Sequence, residues 1–304
     1  MFDSPAPSPL TGADKPVHDW FFDPEQYRLK VQRFSRLPPE ITIQRISFER
    51  EARRYQNAYD NGQSNAFPRR RSRDPSKPRD EESIERSQRR AKIGVRLAVT
   101  ELAPTALVTF TTRQVITLDQ LLWVWAYFIR LLRASGLDFE YVAVPERHPS
   151  NPDHLHIHAA YRGQTNFGVL RRLWHVALEA LHGRKVKCIL RGKEAPGNID
   201  VQTVKARDSL RRIRKIARYV SKYITKDLIA EFNRRRYWPS KGISLESAEA
   251  FWLNSLSMGD AIREACIIVG EWDHEAGAPG QRLFNPSDRI CWFAVDPAAT
   301  PPPF

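Results

Sequence analysis

Three histidines, His154, His156 and His158, stand at alternate positions in the stretch HLHIHAAYRG (154–163). Alternation is the period of a β-strand, so all three imidazoles leave one face while Leu155, Ile157 and Ala159 leave the other. Imidazoles repeated in this way form a platform able to hold a divalent cation. A second constellation is YVSKYITK (219–226). In a helix, Tyr219 and Tyr223 lie one turn apart, and Lys222 and Lys226 lie one turn apart beside them. A phenol that attacks a phosphodiester needs a cation to polarise the scissile phosphate. It needs help toward phenolate, since its unperturbed pKa is about 10. It also needs basic groups on the flanking backbone. The histidine strand can supply the first, and the two lysines can help with the second and third. Each stripe also has a plainer reading: a solvated, His-rich strand face, and a helix boundary where Tyr and Lys snorkel.

Composition sets the context. The chain has 304 residues, 41% of them hydrophobic, and a net charge of +13 from 48 Lys and Arg against 35 Asp and Glu. With a pI near 9.9, this excess favours a polyanionic partner, most often nucleic acid. Cys188, Cys266 and Cys291 are scattered and odd in number, with no CxxC pair. That pattern suits a reducing compartment rather than a disulfide framework. The N-terminus MFDSPAPSPL lacks the basic-then-apolar layout of a signal peptide. The apolar run LLWVWAYFIRLL (121–132) is too short for a membrane span and contains Arg130, so it reads as a buried helix. The expected location is the cytoplasm, with no membrane partner.

The elements that must position the two constellations follow from periodicity. Residues 1–82 read as a loosely docked or disordered region, Pro-, Ser- and charge-rich, in which EITIQRISF (40–48) could form a short strand. A helix is expected over 83–102, stopped by Pro104. ALVTFTTR (106–113) reads as a strand. A long helix follows over 117–136, with Thr117 as N-cap and Gly136 as stop. DFEYVAVPE (138–146) is a second strand, joined by a short polar turn to the histidine strand, which implies an antiparallel pair. A helix over 168–181 carries His175, read with His182 as an ordinary helix residue. KVKCILRG (185–192) and NIDVQTVK (198–205) read as strands, and 209–228 as the tyrosine helix, whose Ile213, Ala217, Val220, Ile224 and Leu228 make a core seam. Beyond it, 244–257 and 258–270 look helical, 289–297 looks like a strand, and AATPPPF is a disordered tail. The expected fold is α+β: one antiparallel sheet with helices on one face, and appendages at both ends. The domain boundaries are drawn at 83–228, with 229–304 as a small C-terminal region.

His156-Ile157-His158 resembles the His-hydrophobic-His motif of the HUH-superfamily endonucleases. YVSKYITK resembles the Tyr-x-x-Lys-Tyr-x-x-Lys helix of the two-tyrosine members, the rolling-circle replication initiators of phages and plasmids. VTFTTR (108–113) is similar to the family's first motif, a Thr-containing strand. The three motifs occur in family order across about residues 83–228. The resemblance implies an RRM-like sheet carrying the tyrosine helix. It implies His156 and His158 as metal ligands, with His154 an alternative for one of them because His154-Leu155-His156 also fits. Glu146, ending the preceding strand, is the implied third ligand, and Mg²⁺ or Mn²⁺ the implied cofactor. Tyr219 and Tyr223 would be the nucleophiles, with Lys222 and Lys226 orienting phosphate or phenolate.

The activity implied is nicking of single-stranded origin DNA by transesterification, in a bacterial host cell, with a host DNA polymerase extending the free 3′-OH. No Walker A sequence GxxxxGK[ST] occurs, so unwinding would fall to a host helicase. Expected phosphate contacts are Arg113, Arg162 and Arg218, with the basic run Arg69, Arg70 and Arg71. A transposase or mobilisation relaxase would use the same chemistry. A non-catalytic RRM-like nucleic-acid-binding protein would explain charge and fold without using the tyrosines.

Overall fold

The structure is a computed structural model that describes residues 25–47, 56, 81–148, 150–163, 166–186, 188–203, 209–224, 236–269, 281–286 and 290–295. In chain order the elements are β1 (Glu25–Gln32), β2 (Glu40–Ser47), α1 (Glu81–Leu102), β3 (Ala106–Thr112), α2 (Leu118–Ala134), β4 (Glu140–His148) and β5 (Asn151–Arg162). Then come α3 (Phe167–Ala180), a 3₁₀ turn (Gly192–Glu194), β6 (Gly197–Thr203), α4 (Ser209–Lys222), β7 (Trp238–Pro239), β8 (Glu249–Leu253), α5 (Met258–Ile268), β9 (Gln281–Pro286) and β10 (Ile290–Val295). The class is α+β, with two antiparallel sheets. No helix among the described residues is long and apolar enough to cross a membrane.

The larger unit comprises Phe34–Leu37 and Pro78–Glu246. Its sheet has the order β6-β3-β5-β4-β7. The chain builds it as strand, helix, strand, strand, helix, strand, so β3 and β5 lie side by side at the centre although a helix and a strand separate them in sequence. Among the described residues β4 pairs with β7 only at Val142 and Ala143, and past that point it has no second neighbour among them, which is where Pro145 can lack an N–H without losing a ladder bond. The expected start of α2 is present as a capping box: Gln120 N–H donates to Thr117 Oγ1 at 3.2 Å, and Thr117 N–H to Gln120 Oε1 at 2.8 Å. Such a cap contributes about 1 kcal/mol. Gly136 ends the helix with φ +66, a left-handed conformation that costs glycine nothing.

Helices cover both faces of this sheet, not one face as the sequence analysis expected. On one side Phe110, Leu155, Ile157 and Ala159 pack on Leu121, Trp125 and Phe128 of α2 and on Leu170 and Trp174 of α3. Phe110 meets Trp125, Phe128 and Trp174 edge-on, with ring centroids 5.2, 5.2 and 5.1 Å away. On the other side Leu107, Val142, Val144 and Ala160 pack on Val95, Val99 and Leu102 of α1 and on Ile216, Ala217 and Val220 of α4. The physical reason is the composition of the histidine face. The imidazoles share it with Leu107, Val142, Val144 and Ala160, which are apolar and need a cover of their own.

Two other expectations change. The described residues of 185–192 form no strand: among the described residues β6 pairs with β3 alone, and the Leu190 N–H is taken by His175 Nδ1 at 3.3 Å. A β-rich composition without a neighbouring strand does not make a ladder. The segment 244–257, helical by its Glu and Ala content, contains β8 instead. Its Ala250, Phe251, Trp252 and Leu253 pair with Lys30, Leu29, Arg28 and Tyr27, and tertiary pairing overrides local propensity.

The smaller unit comprises Met1–Arg33, Pro38–Lys77 and Ser247–Phe304. Its sheet has the order β8-β1-β2-β10-β9. Residues 25–47, read from sequence as loosely docked, supply Tyr27, Leu29, Val31, Ile41 and Ile43 to a core with Leu253, Ala261, Ala265, Cys266, Cys291 and Phe293. β1 and β2 thus share one sheet with β8, β9 and β10, a pairing that no local pattern announces.

Candidate metal centre

The site is built across β3, β4 and β5. Residues directly opposite in antiparallel strands share a face. Glu146 of β4 stands opposite His156 of β5, and Thr109 of β3 stands opposite His158. The register therefore gathers Glu146, His156, His158 and Thr109 on the face that α4 crosses. Glu146 Oε2 lies 2.9 Å from His156 Nε2 and 2.8 Å from His158 Nε2. The ligand atoms of the three residues all lie within 4.8 Å of one another, and the group could hold a metal ion. His156, His158 and Glu146 are 7, 6 and 9% exposed, so the face is covered rather than solvated.

The donor set passes a further chemical test. His158 Nδ1 lies 3.1 Å from Thr109 Oγ1. With no cation, an Nε2–H can donate to Glu146 while Nδ1 accepts from the threonine hydroxyl. Were Nε2 to hold a cation, the ring would carry its proton on Nδ1 instead and would donate it to the same oxygen. A hydroxyl serves both states because it donates and accepts, and it fixes the ring as a supporting partner of a metal-binding histidine does. Burial alone raises the Glu146 carboxyl, but hydrogen bonds from His156 and His158, with their charge, outweigh it and leave the group below its ordinary range. Burial lowers His158, and repulsion from His156 adds to this, against the opposing pull of Glu146. Both shifts favour the deprotonated forms of these groups, the forms in which a cation is bound.

α4 ends at Lys222, short of the expected helix over 209–228; it brings Tyr219 to this face, and Tyr223 reaches it from the turn that follows. The ring of Tyr223 stacks on His158 with centroids 3.9 Å apart and planes 13° from parallel. Tyr219 lies edge-on to His158 at 6.2 Å and to Tyr223 at 5.0 Å. The helix is held by its apolar seam, with Ile213, Ala217, Val220 and Ile224 buried. Its end is held by Gln88 of α1, whose Nε2 donates to the Ile224 carbonyl at 3.0 Å. Burial, a hydrogen bond with Tyr219 and the Tyr219 and Glu146 charges push the Tyr223 phenol well above its ordinary value. Tyr219 is 36% exposed.

The other expected site residues fall elsewhere. His154, half-buried at the start of the same row, stands outside the group of three. Lys222 is exposed at the last turn of α4, and Arg218 is exposed beside Tyr219. Arg113 is engaged: its Nη1 donates to the Gly192 and Lys193 carbonyls, so it pins the 3₁₀ turn. Arg162 lies four residues along β5 from His158, roughly 13 Å away, and pairs with Glu140 at 3.7 Å. Lys226, Leu228, Arg69, Arg70 and Arg71 lie outside the described residues. His175, read as an ordinary helix residue, is a buried clasp: its Nε2 bonds the Gly197 carbonyl at 3.0 Å while Nδ1 accepts from Leu190. Thr109 is the residue for which sequence reasoning named no role, although it lies in the Thr-containing strand singled out above.

Compared with protein-family models, curated proteins and solved structures, the chain matches none.

Proposed function

We propose that this protein is a metal-dependent DNA strand transferase of the two-tyrosine HUH type that nicks single-stranded origin DNA to start rolling-circle replication. The observation that carries the reading is the packing of Tyr219 and Tyr223 against His158, in the same cluster as Glu146 and His156. Core packing explains one aromatic beside an imidazole. It does not explain two phenols and a convergent His, His, Glu set at one point of a chain with a net charge of +13. The strand-helix-strand-strand-helix-strand succession with sheet order β6-β3-β5-β4 also supports the RRM-like arrangement that the resemblance implies.

His156, His158 and Glu146 would hold the cation. Its contribution, when bound, is to polarise the scissile phosphate and offset the charge that develops there. Of the two cations expected, two imidazoles and one carboxylate suit Mn²⁺ better, because Mg²⁺ favours oxygen ligands and retains its waters. The tyrosine oxygen attacks phosphorus as its proton leaves. A P–O bond to tyrosine forms, the bond to the 3′ oxygen breaks, and that oxygen takes a proton. One phosphodiester replaces another, so the cut needs no nucleotide hydrolysis. Lys222 and Arg218 stand on the exposed flank of α4, where a phosphate backbone would run.

The test is covalent capture. The full chain is incubated with labelled single-stranded DNA and Mn²⁺, then denatured. The expected product is a protein–DNA adduct that vanishes in the Tyr219→Phe, Tyr223→Phe double variant and when the metal is chelated. An adduct that survives the double variant would refute the assignment.

A further inference from the structure

Among the described residues of the larger unit, a cavity of about 550 Å³ opens where the end of β3, the end of α3 and the 3₁₀ turn meet. Its size is that of small-molecule sites. The frame is held at several points. Arg113 N–H donates to the Pro196 carbonyl at 2.8 Å, and the Arg113 guanidinium pins Gly192 and Lys193. His175 holds Gly197 and Leu190 together. A Cβ on Gly197 would clash with the Thr111 carbonyl and with Leu178, so the close approach of β6 to β3 and α3 requires glycine. The cavity is thus preformed, which spares a ligand the cost of ordering it.

The lining combines three chemistries. Ile116, Leu178, Leu181, Leu190 and Pro196 supply aliphatic surface. Glu179 supplies a carboxylate, in a residue only 6% exposed. Arg184 Nε meets its Oε2 at 2.7 Å, while the Arg184 side chain is itself exposed. A carboxylate accepts about four hydrogen bonds, so this pairing leaves capacity for donors from the cavity. Lys193 is exposed, and among the described residues its ammonium has no partner. Arg113, Arg184 and Lys193 outnumber Glu179 and Glu194, the two carboxylates of the lining.

A ligand that suits all three chemistries has apolar flat faces, N–H donors along one edge and an anionic end. A nucleotide has these parts. Of the bases of DNA, only guanine sets two N–H donors, N1 and the 2-amino group, beside an acceptor, O6. We propose that this cavity binds a guanine nucleotide, with Glu179 accepting from N1 and the 2-amino group, Arg184 donating to O6 and Lys193 meeting the phosphate. Thr112, which borders the cavity, lies three residues along β3 from Thr109, roughly 10 Å. The guanine therefore belongs either to a strand held at the metal centre or to a free nucleotide. The assignment stands on the lining itself and not on the strand-cleavage reading.

The test reads binding, not cleavage. The full chain is titrated by calorimetry with GMP, IMP and AMP in EDTA, so that no metal holds the phosphate. IMP is GMP without the 2-amino group. It is expected to bind about 5- to 100-fold more weakly than GMP, the range for a buried acceptor left without its donor, and AMP no better than IMP. Lys193→Gln is expected to weaken GMP about 2- to 5-fold, the scale of one exposed ion pair, and to leave guanosine unchanged. Glu179→Gln should narrow the gap between GMP and IMP, with circular dichroism as a check on folding. Ala195→Phe, which fills the cavity without altering its charges, should abolish the guanine preference and serves if Glu179→Gln does not fold. In a second arm, a fluorescein-labelled oligothymidylate with one internal guanine is compared by anisotropy with the same strand carrying hypoxanthine. A guanine preference there without GMP binding assigns the cavity to a base of the strand. GMP binding without that preference assigns it to a free nucleotide. No preference for guanine in either arm would overturn the proposal, as would a preference that Lys193→Gln and Ala195→Phe both leave intact. A guanine preference in a chain that never forms the covalent adduct would defeat the cleavage reading and leave this one standing.

Discussion

The phenol of Tyr223 lies flat against the imidazole of His158, with centroids 3.9 Å apart, while the two nitrogens of that imidazole face Glu146 and Thr109. One ring is thus gripped by a carboxylate, a hydroxyl and an aromatic face. The grip holds the tyrosine as well: Tyr223 is packed, whereas Tyr219, one turn earlier, stands edge-on and reaches solvent.

This difference predicts unequal tyrosines. Tyr219 should make the first attack, because it meets an incoming strand without leaving a stacked position. Tyr219→Phe is expected to lower the initial adduct rate by more than about a hundredfold, the scale for loss of a positioned reacting group. Tyr223→Phe should leave that first rate within about tenfold. Single-turnover quench experiments give the answer, and the reverse order of effects would reassign the roles.

Metal binding should depend on Thr109 as well as on the three convergent residues. Thr109→Val keeps the shape of the side chain but removes the hydroxyl that meets His158 Nδ1. The expected loss in Mn²⁺ affinity is about 10- to 100-fold by calorimetry, with the fold retained. His158→Ala should abolish binding. Mn²⁺ at about a hundred times its Kd should stabilise the native chain by about 2.7 kcal/mol, and an unmoved melting temperature would argue against the site.

Phe110 places the site's strand in the core. It lies between Thr109 and Thr111 and meets three aromatic rings of α2 and α3. Phe110→Ala should cost about 3–5 kcal/mol of stability, measured by urea unfolding. A loss under about 1 kcal/mol would mean that the cluster closes over the cavity.

His175 should make stability fall in acid. Burial, with repulsion from Arg171, lowers its pKa below the ordinary 6.5 against weaker pulls from Gly197 and Glu179. The unfolded chain therefore binds a proton at a higher pH than the folded one. Its contribution is complete above 6.5 and declines as the pH falls from there toward the folded value. Urea midpoints in EDTA at pH values either side of 6.5, compared between wild type and His175→Gln, should show a flatter pH dependence in the variant.

Part of this site could be read directly from the chain. The period-two histidines named a strand and its face. The Tyr-x-x-Lys-Tyr spacing named a helix edge, and Thr117 and Gly136 marked the ends of α2. These are local facts, since side-chain direction follows from backbone period alone. Other features needed a neighbour. Nothing in KVKCILRG says that no strand will pair with it, and nothing in EAFWL says that β1 will. Arg113 resembles a free cation until the carbonyls of Gly192 and Lys193 come within its reach.

Residue type and spacing say which residues can do chemistry and which face of a strand or helix they share. The tertiary structure decided which of them meet. It drew Glu146 opposite His156 and Thr109 opposite His158, left His154 outside, and lowered the tyrosine helix onto imidazoles that would otherwise face water. It also joined β1 and β2 to β8, β9 and β10 in one sheet. The reason is that periodicity is written along the chain, whereas register and cover are set between segments far apart in it. There the burial of Val142, Val144, Ala160 and Val220 chooses one pairing over the alternatives.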